Sequence, residues 1–243
     1  MGYTMIEASL NYLREGDDAL VTVLIGGVLL LASPLLIPAF AVLGYVTRVL
    51  RRTADGDDEP PVFDAWGELL VDGLKAFVVT FVYSLLPLGV LTAAAVISVG
   101  TLVVVPGGES VGLGTVVVGL IVLVGGLVAL LVSLVGAYVA PAAVAAVADS
   151  GKVGDGFALG TLWSVVSKRA YATGWLTAVV VVLAGALAVG VFSVVPVLGT
   201  IAGFFVQFYA LVAAAAILGW TWDDVRPVTE RMSESEPAER PAV

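Results

Sequence analysis

The sequence predicts an all-α integral membrane protein with six apolar helical segments in three hairpins and two amphipathic interfacial helices. Three observations carry this expectation. Of the 243 residues, 60% are hydrophobic and 13% charged, against about 25% charged in soluble domains. Apolar runs of membrane-spanning length recur, and soluble folds do not bury several such runs nearly free of charge. The runs are continuous, as in Val116 to Val132 and Thr177 to Val189, and lack the alternation of a transmembrane β-barrel strand.

Residues 1–18 carry Glu7, Arg14, Glu15, Asp17 and Asp18. No basic stretch precedes the first apolar run and no small-residue cleavage site follows it. That run is therefore expected to be the targeting element itself, with no cleaved signal peptide. The organisation predicted is a cytoplasmic or interfacial segment over 1–18, a polytopic transmembrane domain over 19–225 and a polar tail over 226–243. The tail is expected to be disordered from about Met232.

The first run, Ala19 to Leu50, contains one charge, Arg48. As one straight helix it would measure about 48 Å, against a hydrocarbon core of about 30 Å. Pro34 and Pro38 interrupt it, each deleting a backbone donor. Two short spans, a re-entrant hairpin and one kinked helix all fit. Positive charge favours a run that goes in and comes back. Lys and Arg occur at Arg14, from Arg48 to Lys75, from Lys152 to Arg169 and from Arg226 to Arg240. With three hairpins all four groups share one face. By the positive-inside rule that face is cytoplasmic, with both termini on it.

The chain then turns through Arg48, Arg51 and Arg52, an acidic loop, and a segment from Asp64 to Phe77. Asp64, Glu68 and Asp72 fall every four residues along one helical face, while Trp66, Leu69, Leu70, Leu74 and Phe77 lean to the other. Such a helix lies in the membrane interface. Its carboxylates are expected to be matched by the three arginines; a divalent-cation site is the less favoured reading. A degenerate copy runs from Ala137 to Tyr171. Tyr45 matches Tyr138, Ala54-Asp55-Gly56 matches Ala148-Asp149-Ser150, Phe63 matches Phe157, and Ala76-Phe77 matches Ala170-Tyr171. Both stretches read as the same turnaround at one membrane face.

The second hairpin is expected from about Lys75 to Val105 and from Val111 to Val147, joined by an outer loop, Pro106 to Ser110. Both arms exceed the minimal span, so they tilt, kink or protrude. Ala129, Ser133 and Ala137 form a small-residue stripe that lets helices approach closely. The third hairpin is expected from Tyr171 to Val195 and from Leu198 to Trp220, with Gly199-x-x-x-Gly203 as a helix-contact motif. Trp66, Trp163, Trp175, Trp220 and Trp222 all fall near the cytoplasmic boundary, where interfacial anchors belong.

Composition excludes much chemistry. Without Cys or His there are no disulfides, thiolate or imidazole metal ligands, Cys nucleophiles or His-based triads. A net charge of −9 points to a salt-loving host and away from nucleic acid. The one charge from Ala76 to Ala148 is Glu109, and there is none from Tyr171 to Trp222. Ion-coupled transport normally needs buried carboxylates and is disfavoured. No phosphate-loop motif is present. Hydroxyls in the spans are expected to bond carbonyls of their own helices. Gln207 is the most polar mid-span side chain and is expected to make a contact between helices.

No catalytic, cofactor or metal residue is assigned. Arg48, Arg51, Arg52, Trp66, Trp163, Lys168 and Arg169 are candidates for lipid-headgroup or interface anchoring, and Gln207 for an intramembrane polar contact. The expected role is a non-enzymatic membrane scaffold or accessory subunit in the cell membrane, whose partners are lipids and another membrane protein. The alternative is a passive permease or channel for a small neutral or lipid-like solute. A third reading, a lipid-modifying enzyme, would need a site made of carboxylates and Arg alone.

Several stretches carry a resemblance: Asn11-Tyr-Leu-Arg14 with Gly16-Asp17-Asp18, Ile37-Pro38-Ala-Phe40, Gly44-Tyr45, Arg48-Val-Leu-Arg51, Pro60-Pro-Val-Phe-Asp-Ala-Trp66 and Leu69-Leu-Val-Asp-Gly-Leu-Lys75. Together they resemble an archaeal, mainly haloarchaeal, multi-pass membrane family, domain of unknown function 4013. The resemblance implies helical hairpins in the cell membrane and transfers no activity or site residue. More loosely, the hairpin with its interfacial helix is similar to the membrane region fused to some bacterial glycerophosphodiester phosphodiesterases, whose catalytic barrel is absent.

Overall fold

A computed structural model describes residues 2–16, 18–104 and 113–226, which are helical with short turns and contain no strand. The expected outer loop Pro106 to Ser110 and the polar tail beyond Arg226 lie outside the described residues. The long elements are α1 (Gly2–Tyr12), α2 (Ala19–Leu31), α3 (Ile37–Ala54), α4 (Trp66–Val104), α5 (Leu113–Ser150), α6 (Leu159–Val166), α7 (Arg169–Phe192) and α8 (Leu198–Val225). Four of them, within α4, α5, α7 and α8, are long and apolar enough to cross a membrane.

The first apolar run breaks where its prolines predict. A short 3-10 turn over Ser33–Leu35 separates α2 from α3, and Pro38 sits in the first turn of α3, where a missing donor costs nothing. The packing partners on α8 give the direction of each arm. Along α2, Gly26 faces Phe208 and Gly27 faces Phe205. Along α3, Tyr45 meets Phe208 while Gly219 of α8 faces Thr53. The chain therefore ascends α8 along α2 and descends it along α3. At 13 and 18 residues the arms measure about 20 and 27 Å, short of the about 30 Å core.

The amphipathic segment expected from Asp64 to Phe77 is not a separate interfacial helix. Asp64 lies in the loop before α4, and residues 66–77 are the opening turns of a helix that continues to Val104. Nothing in the sequence ends it after Phe77, and Pro87 sits inside it. Its copy behaves differently: Lys168 is extended and divides the short α6 from α7.

The chain divides into two compact units, one of residues 1–77 with 141–243 and one of 78–140. In the first unit α8 is the central helix. Its face carrying Phe208, Val212, Ala215 and Ala216 packs with Tyr12, Leu13, Tyr45, Val49 and Leu69. Its face carrying Ala210, Ala213, Ala214 and Ile217 packs with Ala178 and Val181 of α7. The motif Gly199-x-x-x-Gly203 lies against Phe192 and Val189 of α7, so it packs inside the chain. α3 and the start of α4 run antiparallel with backbones nearly touching: a Cβ on Gly44 would overlap the Leu69 carbonyl, and one on Gly73 the Phe40 carbonyl.

Leu36, Ala65 and Val197 are non-glycine residues at positive φ (64°, 45° and 64°), and each directly precedes a long helix. Two of them make hairpin tips. At the α7–α8 tip, Leu198 N–H donates to Pro196 O at 2.8 Å across Val197, a three-residue turn that is rare for a β-branched residue. Both tips are apolar and outward-facing: Leu35, Leu36 and Ile37 at one, Val194, Val195, Val197 and Leu198 at the other.

In the second unit, α4 and α5 pair antiparallel, with Ala94 against Gly125 and the Tyr83 carbonyl near Gly136. The spanning windows of these helices have most of their surface outward, only 6% of each being buried. Of the small-residue stripe, Ala129 is buried while Ser133 and Ala137 face outward.

Candidate functional site

The polar groups of the first unit collect at one end of α8, where the two matched turnarounds meet. In the first, α3 ends in Arg48, Arg51 and Arg52, placed by helical spacing to reach the returning chain. Arg48 Nη1 donates to Asp64 Oδ1 at 2.5 Å and to the Val62 carbonyl at 3.3 Å. Arg51 Nη1 lies 3.1 Å from Asp72 Oδ2, which Lys75 also flanks through Oδ1 at 3.4 Å. Arg52 Nε donates to Asp57 Oδ2 at 2.6 Å. The arginines and carboxylates thus compensate one another across the turn. Glu68 is exposed, and no group of three or more metal-ligating side chains occurs among the described residues.

Aromatic rings hold the same loop down. Phe63 stacks on Tyr45 with centroids 4.3 Å apart, with Trp66 behind it at 5.8 Å. Tyr45 Oη donates to the Pro61 carbonyl at 2.8 Å, and Tyr12 Oη to the Glu59 carbonyl at 3.4 Å. Burial pushes the Tyr12 phenol above its ordinary range. The Glu59 backbone N–H, together with Arg52, holds the Asp57 carboxyl below its ordinary value against the opposing effect of burial. A cavity of about 130 Å³ lies beside the loop, lined among others by Gly16, Asp18, Thr22, Glu59 and Pro60.

The end of α8 joins both turnarounds. Arg226 Nη1 lies 3.7 Å from Asp55 Oδ1 and 3.5 Å from Asp149 Oδ1, and Nη2 lies 3.2 Å from Asp223 Oδ1. Asp55 and Asp149 are the matching aspartates of the two copies. Trp220 Nε1 donates to Asp58 Oδ1 at 2.7 Å, and Trp222 Nε1 to Asp149 Oδ2 at 3.2 Å. Lys168 Nζ reaches the Val225 carbonyl at 2.5 Å, a cation at the negative end of α8.

The candidate anchors therefore separate. Arg48, Arg51, Arg52 and Lys168 are engaged within the protein. Trp66, Trp163 and Arg169 face outward. Trp222, expected as an interfacial anchor, is 2% exposed and belongs to the core, because its indole N–H serves Asp149. Sequence reasoning did not single out Arg226, Trp220 or Trp222 as partners of the turnarounds. The available signal was the matched Asp55 and Asp149, which needed a shared cation.

Gln207 Oε1 is buried and accepts no hydrogen bond among the described residues. It lies against α7, where a Cβ on Gly185 would come within 3.2 Å of it. The side chain touches the neighbouring helix without bonding to it. Other span hydroxyls behave as expected: Ser84, Thr92, Ser98, Thr177 and Ser193 bond carbonyls of their own helices.

Residues 27–195 match the family described as Protein of unknown function (DUF4013). No curated protein and no solved structure matches the chain.

Proposed function

Since the chain belongs to the DUF4013 family of proteins of unknown function, we propose for it a role that needs no chemistry: a membrane scaffold or accessory subunit that organises lipids or a partner membrane protein. It sits in the cell membrane of a salt-loving archaeon as three hairpins with both termini cytoplasmic. The first hairpin is re-entrant, because its arms are shorter than the core.

One observation carries this reading. Arg48, Arg51, Arg52 and Arg226, four of the cationic side chains of the cap that could have served a reacting phosphate or carboxylate, each close an ion pair with an aspartate of the same cap. A site for turnover keeps such groups aimed at substrate; here they are turned on one another, which suits a rigid platform. The passive permease is the second reading. It is favoured by a cavity of about 250 Å³ in the second unit, lined among others by Thr80, Tyr83, Ser84 and Ser133.

The test is isolation of the tagged chain in lipid nanodiscs at high salt, with mass spectrometry of what accompanies it and reciprocal isolation through the partner. A stoichiometric membrane protein recovered in both directions supports the scaffold. Lipid alone, together with solute flux in vesicles that falls in a Ser84→Ala, Ser133→Ala variant, overturns it in favour of the permease.

A further inference from the structure

The two turnarounds share a plan but have diverged in charge. From Gly44 to Phe77 the first carries Asp55, Asp57, Asp58, Glu59, Asp64, Glu68 and Asp72 against Arg48, Arg51, Arg52 and Lys75. From Ala137 to Tyr171 the second carries Lys152, Lys168 and Arg169 against Asp149 and Asp155. In a chain of net charge −9, the second turnaround is a local basic island.

It also contains a short helix with opposed faces. α6 buries Leu162, Val165 and Val166 against the protein, while Leu159 and Trp163 are 69% and 72% exposed. No neighbouring atom approaches Gly160 between them. Arg169 opens α7 directly after this helix, is exposed, and takes part in no ion pair among the described residues. Lys168 beside it is committed to the Val225 carbonyl.

We propose that α6 and the start of α7 form a docking surface for anionic lipid headgroups, with Leu159 and Trp163 in the headgroup–acyl boundary and Arg169 on the lipid phosphate. Two forces act together there. An exposed indole and a leucine on one helical face favour the interfacial zone. A guanidinium reads phosphate as a planar, multi-donor cation, beside the positive end of the α7 dipole. The acidic first turnaround repels the same lipids, so anionic lipid gathers on one side of the cap. The inference rests on the proposed membrane placement of the cap, and not on the existence of a protein partner.

The chain contains no Cys, so Leu159→Cys gives a single labelling site at an exposed position. The full chain carrying a nitroxide there is reconstituted in nanodiscs of phosphatidylcholine, with or without phosphatidylglycerol. Accessibility to oxygen against a polar nickel complex gives the depth of the label. Retention of phosphatidylglycerol over phosphatidylcholine gives headgroup preference. The label is expected below the phosphates. Arg169→Gln is expected to lower the phosphatidylglycerol preference about five-fold, the equivalent of about 1 kcal/mol per basic residue at a membrane surface, and Arg169→Lys to retain most of it. A label in water, or a preference unmoved by Arg169→Gln, overturns the proposal. A label aqueous in pure lipid but shielded in native membranes overturns it in favour of a protein partner. Failure to recover a partner in reciprocal isolation counts against the scaffold and leaves these readings intact.

Discussion

Asp55 and Asp149, the matching aspartates of two turnarounds, converge on the same nitrogen of Arg226. The arginine side chain is 10% exposed, the two carboxylates 46% and 19%. Loss of the arginine would leave the mostly buried Asp149 carboxylate without its ion-pair partner among the described residues. Arg226→Gln is therefore expected to destabilise by about 1–2 kcal/mol, more than an exposed pair and less than a fully buried one. Asp55→Asn, at the wetter site, should cost less than about 1 kcal/mol. Equilibrium unfolding of both variants in the same nanodisc tests this; equal effects would mean that Arg226 is not the shared element.

Gly44 and Gly73 bring α3 and α4 into backbone contact. Gly44→Ala or Gly73→Ala must push a helix aside, which places the expected cost with overpacked core substitutions, about 1–3 kcal/mol or more. Gly89, also within a helix but facing open space, is the control. There Ala should be neutral or gain up to about 1 kcal/mol from helix propensity. Melting temperatures of the three variants decide the matter.

Gln207 keeps a buried oxygen without a hydrogen bond. Removing an unsatisfied polar group in favour of an apolar one of similar size is neutral or stabilising, here by up to about 1 kcal/mol. Gln207→Leu should thus raise or preserve the melting temperature. A clear loss would reveal a bond that forms only in the membrane.

Asp57 is held below its ordinary carboxyl range by the Glu59 N–H and by Arg52. The sign follows from linkage: a depressed folded value means stability present above the unfolded pKa and lost as pH falls through the folded one. The side chain is 42% exposed, so solvent screening keeps the effect below about 1 kcal/mol. Amide protection factors in residues 55–62, with the intrinsic pH dependence of exchange divided out, should fall on acidification, and Asp57→Asn should show the lowered protection already at neutral pH.

The sequence made the helical class, the break of the first apolar run at Pro34 and Pro38 and the long apolar helices legible, because each rests on local pattern: run length and proline position. What could not be read rests on pairing across the chain. Arg226 stood beyond the last apolar run as one more basic residue, and nothing in its spacing named Asp55 and Asp149 as its partners. Trp222 has the composition of an interfacial anchor but is drawn inward by one carboxylate. The segment from Asp64 to Phe77 has interfacial amphipathicity, yet no helix breaker separates Phe77 from the apolar sequence that follows, so helix propagation carried it into α4. The arginine–carboxylate compensation was legible, since both partners sat on one short turn.

The two apolar tips, at Leu36 and Val197, have a consequence for biogenesis. Each hairpin of the first unit leads with leucine, isoleucine or valine and trails its charges behind at the cap. In the membrane placement proposed above, insertion of these hairpins would carry no ionised group through the hydrocarbon, so the transmembrane potential would neither drive nor oppose it. On that placement these two elements would enter the bilayer from the side on which they are made, at the same rate in energised and de-energised membranes.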